Sequence, residues 1–419
     1  MADHTHLVIG GGISGLSAAH YALQAGVDTL LLEASDRPGG CIHSSHFQAL
    51  DDFWVEAGGH TCFNSYGHLL GIMEQLDLLK LTLAKEKRSY KLWRKGERRG
   101  ILSALHPFEL LISLPSLFRI EKAGKTVSEY YGQVMGRKNY RDLLGPALRS
   151  VVCQEADDFP AEAMFRKKPR RKDVLRAFTL PGGLADIPRA IAAQPGFNAQ
   201  FGTQVTRISA QGEGFEVDCQ DGTRHHCERL TLAVPPDTAR ALLGEVAPAA
   251  ASAIQDMGIA HIDTLVLAFE RSSLSVEEIA GLISIDGGFL SAVSRDFLPD
   301  ERYRGFAFHF PGDTLSEAER EQVACQALDA RVADIRAKAH VRNQLPALRA
   351  DHMTRIQALD TALAGGSIAV TGNWFLGVSI EDCVTRTRSE HERLFGALGD
   401  NASGDGAPGD ALGGGASNR

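Results

Sequence analysis

The stretch Leu7-Val8-Ile9-Gly10-Gly11-Gly12-Ile13-Ser14-Gly15 decides the fold class. Leu7 to Ile9 reads as a short buried strand, and Gly10, Gly12 and Gly15 stand at the spacing G-x-G-x-x-G. An alanine-rich, helix-like run follows, Leu16 to Ala25, and then a second apolar strand, Val27 to Leu32, which ends on Glu33. Together these form a β-α-β unit of the dinucleotide-binding type, with an acidic residue 18 positions after the last glycine. Gly10 allows the tight turn, Gly12 lets the backbone approach a pyrophosphate, and Gly15 lets helix and strand pack closely. The helix start at Ile13 and Ser14 offers free N–H groups and a partial positive charge to phosphates. Glu33, with Ala34 after it, is placed to accept hydrogen bonds from ribose hydroxyls. The competing reading is a glycine-rich turn in some other α/β protein.

With 419 residues the chain has room for two domains. An apolar content of 44% and a charged content of 23% are ordinary for a globular protein. Net charge is 44 minus 52, or −8, which does not favour a nucleic-acid surface. No apolar run reaches the ~18 residues of a membrane-spanning helix. The first residues, Met1 to His6, show no basic, apolar leader. Seven cysteines are odd in number and scattered, without a C-x-x-C pair. Reduced thiols, no metal site and a cytoplasmic location are the expectations.

Along the chain, Tyr66 to Lys80 reads as a helix and 85–99 as an exposed hairpin. Ile101 to Ile120 is strongly apolar but interrupted by Pro107 and Pro115. A core helix pair is the plainer reading of it; a segment dipping into a membrane surface is the other. Thr126-Val127-Ser128-Glu129 is a capping box opening helical structure that continues to Val152. Strand signals return at 203–208, 214–219 and Leu230 to Val234, and 262–310 is β-rich. Ser316 to Ala339 reads as a capped helix, Ser367 to Gly372 as a strand, and Ile380 to Phe395 as a helix. The fold class is therefore α/β: a Rossmann-like domain built from 1–75, 178–240 and 355–398, with an inserted α+β domain from 76–177 and 241–354. The tail 399–419, rich in Gly, Ala, Asp and Ser, is predicted to be disordered.

After the fingerprint comes Glu33-Ala34-Ser35-Asp36-Arg37-Pro38-Gly39-Gly40, with a second glycine pair that nicotinamide enzymes do not usually carry. This stretch resembles the flavoprotein amine oxidase superfamily. The resemblance implies FAD as cofactor, bound by the Rossmann-like domain, with the inserted domain taking the substrate. Glu33 would hold the ribose, and Arg37, Gly39 and Gly40 would lie along the pyrophosphate and flavin. Glu56-Ala57-Gly58-Gly59-His60 would pass beside the flavin ring, and Val205 would sit in the strand that pairs its backbone with the adenine. Near the C-terminus, Gly372-Asn373 is followed by Gly377-Val378 and Asp382-Cys383. That form, with Asn373 where the superfamily usually shows an acid, is similar to protoporphyrinogen and coproporphyrinogen oxidases. Gly372, Asn373, Val378 and Ser379 would lie against the isoalloxazine. Residues 125–158 are similar to the helical segment of the same enzymes. A Gly-Gly-x-Tyr-x-Gly-Asp-like stretch is replaced there by Arg149 to Asp157, a departure that concerns the substrate.

The helix start after Ser379, with Glu381 and Asp382 in its first turn, can turn a positive dipole end toward a bound ring. His60 and Trp374 are the candidate catalytic side chains. His60 reads as a proton acceptor, a polar wall or a satisfied core histidine. Trp374 reads as one of the aromatic pair that amine oxidases place before the flavin. Two basic stretches, 85–99 and 166–172, are either solvated loops or a docking surface for an anionic substrate or lipid headgroups. The expected function is an FAD-dependent oxidoreductase that oxidises a porphyrinogen-like or other cyclic substrate by hydride transfer. The alternatives are an amine oxidase or a polyene desaturase on the same fold, and a flavin-binding protein without turnover. Substrate identity, electron acceptor, catalytic base and oligomeric state carry no signal in the sequence.

Overall fold

The computed structural model describes residues 2–375, 377 and 379–398, so Val378 and the tail 399–419 lie outside the described residues. Two seven-stranded sheets organise the chain. The first is built on parallel strands, in the order Ala199–Phe201, Thr29–Glu33, His4–Ile9, Arg224–Leu232, with Ile368–Val370 beside the last. Its apolar runs are buried on both faces, as a parallel sheet requires: Leu7, Val8, Leu31 and Leu32 have no exposed surface. Helix Ile13–Gln24 covers one face together with the C-terminal helix Ile380–Phe395. An antiparallel meander, Val205–Gln211 and Gly214–Cys219, extends the other edge through Arg224–Leu232. A turn at Asp221-Gly222, with Gly222 N donating to Cys219 O, leads into Arg224–Leu232.

The second sheet runs Ile335–Ala347, Gly258–Glu270, Tyr303–Pro311, Ser291–Ser294, Gly281–Ser284, Tyr90–Arg94, Glu97–Gly100. Its pleat separates two environments. Leu265, Leu267, Phe269, Phe306, Phe308 and Phe310 pack beneath helix Glu317–Leu328. Val266, Ala268 and Ala307 face the hairpin Ser44–Phe47/Phe53–Glu56 instead. Gly305 permits this approach, because a Cβ there would meet Val55 at 2.2 Å.

Several boundaries differ from the sequence reading. The helix from Ser316 ends at Leu328, and Ile335–Ala347 is a strand, not a continuation of it. Its alternation of small apolar residues with Arg336, Lys338, His340 and Arg342 has the period of a strand. The helix from Tyr66 stops at Gln75, where Asp77 takes a left-handed conformation with φ of 57°. Residues to Ile254 pack on the first sheet through Leu242, Leu243, Ala250 and Ile254, so the chain leaves that sheet later than residue 240. Conversely, residues 44–57, expected in the nucleotide domain, also pack on the second sheet.

The Ile101–Ile120 segment is not a core helix pair. It forms short helical turns, Ile101–Ala104, Pro107–Ser113 and Leu114–Phe118, the last two with proline in the first turn. Leu102, Phe108, Ile112 and Phe118 are 79%, 83%, 80% and 86% exposed, and Leu111, Leu114 and Leu117 join them on the surface. Among the described residues no helix is long and apolar enough to cross a membrane.

The most deeply buried ion pair among the described residues lies in the second sheet. Arg304 donates to Asp296 at 2.9 and 2.6 Å and to the carbonyls of Val276 and Glu277, while Asp296 also accepts from Ile279 N. Removing one partner strands the other charge, which costs about 3–5 kcal/mol. Asp296→Ala is expected to lower the denaturation midpoint accordingly, whereas Arg331→Ala, which removes the solvent-exposed guanidinium paired with Asp334, is expected to leave it close to wild type. Equilibrium urea unfolding measures both.

Candidate cofactor and substrate cavity

A cavity of about 940 Å³ begins at the carboxyl ends of His4–Ile9 and Thr29–Glu33 and runs to the inner face of the second sheet. Its position outside the strand ends is the general ligand site of open α/β sheets. The glycines at its near end divide their tasks. Gly10 turns with φ of 105°, and a Cβ there would meet Ala233 O at 2.4 Å. Gly15 sits so close to Gly10 O that a Cβ would lie 1.8 Å from it. Gly12, by contrast, has nothing within 4 Å of its Cβ position and lines the cavity. Gly39 N donates to Gly11 O at 2.8 Å, so the second glycine pair is tied directly to the first loop.

Gly10, Gly12, Ile13, Ser14, Glu33, Ala34, Gly39, Gly40, Gly58, Gly59, His60, Val205, Gly372, Asn373 and Ser379 all line this one cavity. Gly15 lies behind it, in the helix–strand contact. Glu33 accepts from Gly11 N and, at 2.8 Å, from Ser35 N, which holds its carboxylate at the cavity edge.

Two candidates are corrected. Arg37 does not reach the cavity lining; its guanidinium donates to the carbonyls of Pro38, Gly40 and Ile42 and so knits its own loop. Trp374 is 1% exposed, stacks on Phe375 and donates Nε1–H to Val234 O at 3.0 Å. It is a core residue of the first sheet and not one wall of an aromatic pair. The acids of the last helix also face away. Asp382 caps the helix with Ser379 and pairs with Lys168 at 2.7 Å. Glu381 accepts from His68 N and Leu69 N, and burial pushes its carboxyl up to about 7.

The far end of the cavity was not legible in the sequence. Ala147 to Gln154 without Leu148 and Arg149, Ile262, Thr264, Ser291, Val293, His309 and Asn343 to Pro346 line it. Among the described lining residues Glu33 is the one carboxyl, and there is no lysine or arginine. Burial holds the Cys41, Cys153 and Cys383 thiols above their ordinary pKa, Cys153 to about 11, so they are uncharged at neutral pH. Burial pushes the His60 imidazole well below its usual range and His309 down to about 4, so both rings are neutral. Lys85 stands behind the wall, donating to His60 O at 2.6 Å and Thr61 Oγ1 at 2.7 Å, and burial lowers it to about 8.

Half of the basic side chains in the two stretches are paired with carboxylates. Arg88 pairs with Glu86 and Glu278, Lys91 with Glu277, Arg98 with Asp329, and Arg99 with Glu97. Arg166 and Lys168 pair with Asp382, and Arg171 with Glu74 and Asp173. Lys87, Arg94, Lys95, Lys167, Arg170 and Lys172 form no carboxylate pair among the described residues.

The profile of the family described as flavin containing amine oxidoreductase matches residues 13–151 and 158–317. Polyamine oxidase 4 of Oryza sativa subsp. japonica is 25% identical over 66% of this chain, which spans 61% of that relative's length. The coproporphyrinogen III oxidase of Bacillus subtilis (strain 168) is 22% identical over 91% of this chain and 96% of its own. A structure assigned as a protoporphyrinogen oxidase from Exiguobacterium sp. 255-15 superposes with a TM-score of 0.76 at 18% identity, covering 94% of this chain and 98% of the other. On this evidence the chain belongs to the flavin-containing amine oxidoreductase family, and its cofactor is FAD.

Proposed function

We propose that this protein is an FAD-dependent oxidoreductase that takes a hydride from a bulky, ring-shaped substrate of the porphyrinogen type. The carrying observation is the substrate end of the cavity, which is roomy, mostly apolar and without a charged side chain. The cradle fits the cofactor by a simple test: Gly12 has open space where a Cβ would project, directly over the paired glycine loops. In this reading Gly10 to Ser14, Gly39 and Gly40 take the pyrophosphate, Glu33 and Ala34 the ribose, and Val205 the adenine side. Gly58, Gly59, His60, Gly372, Asn373 and Ser379 border the ring. Bound FAD supplies a two-electron acceptor. The chain supplies orientation and a water-poor wall.

Neutral walls disfavour an amine substrate. An ammonium group buried without a carboxylate partner loses several kcal/mol of hydration. The same cost applies to buried carboxylates, so the acid arms of a porphyrinogen must stay at the solvent-facing mouth, beside the exposed Phe63, Tyr90 and Val151. A ring with both acid arms on one edge satisfies this better than one with arms all round. Anaerobic flavin bleaching is the measurement. Protoporphyrinogen IX is expected to reduce the flavin faster than coproporphyrinogen III, and spermidine and putrescine not at all. Fast bleaching by either amine overturns the reading.

The two key glycines separate binding from folding. Gly12→Leu is expected to keep wild-type circular dichroism and melting behaviour but to lose flavin on purification. Gly15→Leu is expected to lose both. Flavin retained in folded Gly12→Leu removes the pyrophosphate assignment.

The exposed Leu102–Phe118 face also supports peripheral contact with a lipid surface. An apolar patch of this kind is unusual on a monomer. Its underside, Ile101 and Ala104, packs with Ala147 and Ile283, which line the cavity. Flotation with phosphatidylglycerol vesicles is expected for the wild type and lost in the triple change Phe108→Ser, Ile112→Ser, Phe118→Ser, with flavin content unchanged.

A further inference from the structure

His60 and His309 come from distant parts of the chain and meet in the cavity wall. Their Nε2 atoms are 3.0 Å apart. The ring centroids lie 5.2 Å apart, close to what two imidazoles joined end to end through such a contact must show, so the nitrogens point at each other. His309 Nδ1 is 3.0 Å from Thr264 Oγ1, its register partner on the neighbouring strand. Ser291 is its partner on the other side. His60 Nδ1 has no hydrogen-bond partner among the described residues, nor is it one of the sealed-off buried atoms; it is the ring nitrogen left for a bound molecule.

Two neutral imidazoles facing each other through Nε2 hold one proton between them. If His60 carries it, His309 has its own proton on Nδ1 and donates to Thr264. His60 Nδ1 then presents a lone pair to the cavity. If His309 carries it, the Thr264 hydroxyl donates to His309 Nδ1, and His60 Nδ1 presents an N–H. The triad is therefore a donor–acceptor switch whose output is a single atom.

We propose that the Thr264–His309–His60 chain is the proton acceptor of this site, taking the proton from a pyrrole N–H conjugated with the carbon that is oxidised. This rests on the FAD oxidoreductase reading above. The balance is complete for a bridge CH2 attached to the α-carbon of a pyrrole. The bridge C–H bond breaks and its electron pair leaves with hydrogen as hydride, which bound FAD would accept. The pyrrole N–H bond breaks, its electrons form C=N to the far α-carbon, the ring double bonds shift to leave C=C at the bridge carbon, and the proton joins His60 Nδ1. The resulting imidazolium is shared with His309 through the Nε2 contact. The charged groups facing the pair are Lys85, against the His60 carbonyl, and beyond it Glu56, whose carboxyl burial raises to about 7. Thr264 and Ser291, on the strands flanking His309, are neutral. The Lys85 cation makes the added proton easy to release. A polyene, which has no N–H, offers this acceptor nothing; a pyrrole N–H suits it.

The test uses the FAD-loaded full chain and two independent probes. Protoporphyrinogen IX gives the kinetic one. Loss of a positioned acid–base group slows turnover by about 100-fold at the low end of the usual range. His309→Phe is expected to do this with KM within threefold, Thr264→Val to slow turnover less, and Thr264→Ser to restore it. Pyrrole, against furan, gives a probe that needs no turnover. In protein labelled with ¹⁵N-histidine, pyrrole is expected to shift the His60 Nδ1 resonance and furan, its isostere without N–H, is not. His309→Phe is expected to abolish that difference. Equal responses to pyrrole and furan, or undiminished turnover in His309→Phe, overturn the proposal. Pyrrole discrimination without any reduction by protoporphyrinogen IX supports the acceptor and instead removes the porphyrinogen reading.

Discussion

The architecture of the cofactor end depends on a contact that no side chain can enter. Gly15, in the first helical turn, lies against the carbonyl of Gly10, where a Cβ would be 1.8 Å from the oxygen. That approach sets the helix down on the strand end. It brings the first-turn N–H groups to the cavity without a capping side chain in the way. Gly39 then bonds to Gly11 O, which adds the second glycine loop as a floor beside Gly12. Arg37, which by family resemblance faces the ligand, serves here to hold that floor in shape through three carbonyls.

The second sheet contributes a wall by a different rule. With a two-residue period, odd positions of Gly258–Glu270 such as Leu265 and Leu267 enter the core under helix Glu317–Leu328, while Ile262 and Thr264 face the cavity. Across the register, His309 meets Thr264 and Ser291 on the same face. The hairpin 44–56 bridges the two sheets, and Gly58 and Gly59 follow from it to bring His60 opposite His309. The imidazole contact is thus a product of both sheets at once.

Apart from Glu33 at its nucleotide end, the described lining of the cavity carries no carboxylate, lysine or arginine. Asp296 and Arg304 neutralise each other inside the second sheet, and Lys168 meets Asp382 at the start of the last helix. Lys85 reaches the back of the wall but points at a carbonyl and a hydroxyl. What remains for a substrate is a surface of aliphatic groups, amides, hydroxyls and two neutral imidazoles. Such a wall selects by shape and N–H donation, since any unpaired charge brought into it loses hydration with nothing in return.

The sequence by itself determined the nucleotide half. Glycine spacing, the strand–helix–strand pattern and Glu33 are local features, all within residues 7–33, and local chemistry suffices to read them. The C-terminal strand–glycine–helix was legible for the same reason, including the helix start after Ser379, which the structure shows to be its cap. Tertiary structure alone decided the rest. Trp374 looked free to face a ring, but its indole N–H had a carbonyl at Val234, 140 positions away, that no pattern discloses. The basic stretches read as solvated loops or an anion-docking surface, and folding brings Glu277, Glu278, Asp329 and Asp382 to some of their cations. The apolar run 101–120 looked like core, yet two prolines break it into short turns that expose one face. His309 and Thr264 carry no motif at all; they become partners because antiparallel pairing sets them side by side. Pairings between residues tens to hundreds of positions apart depend on register and packing, and those exist only once the two sheets have closed on each other.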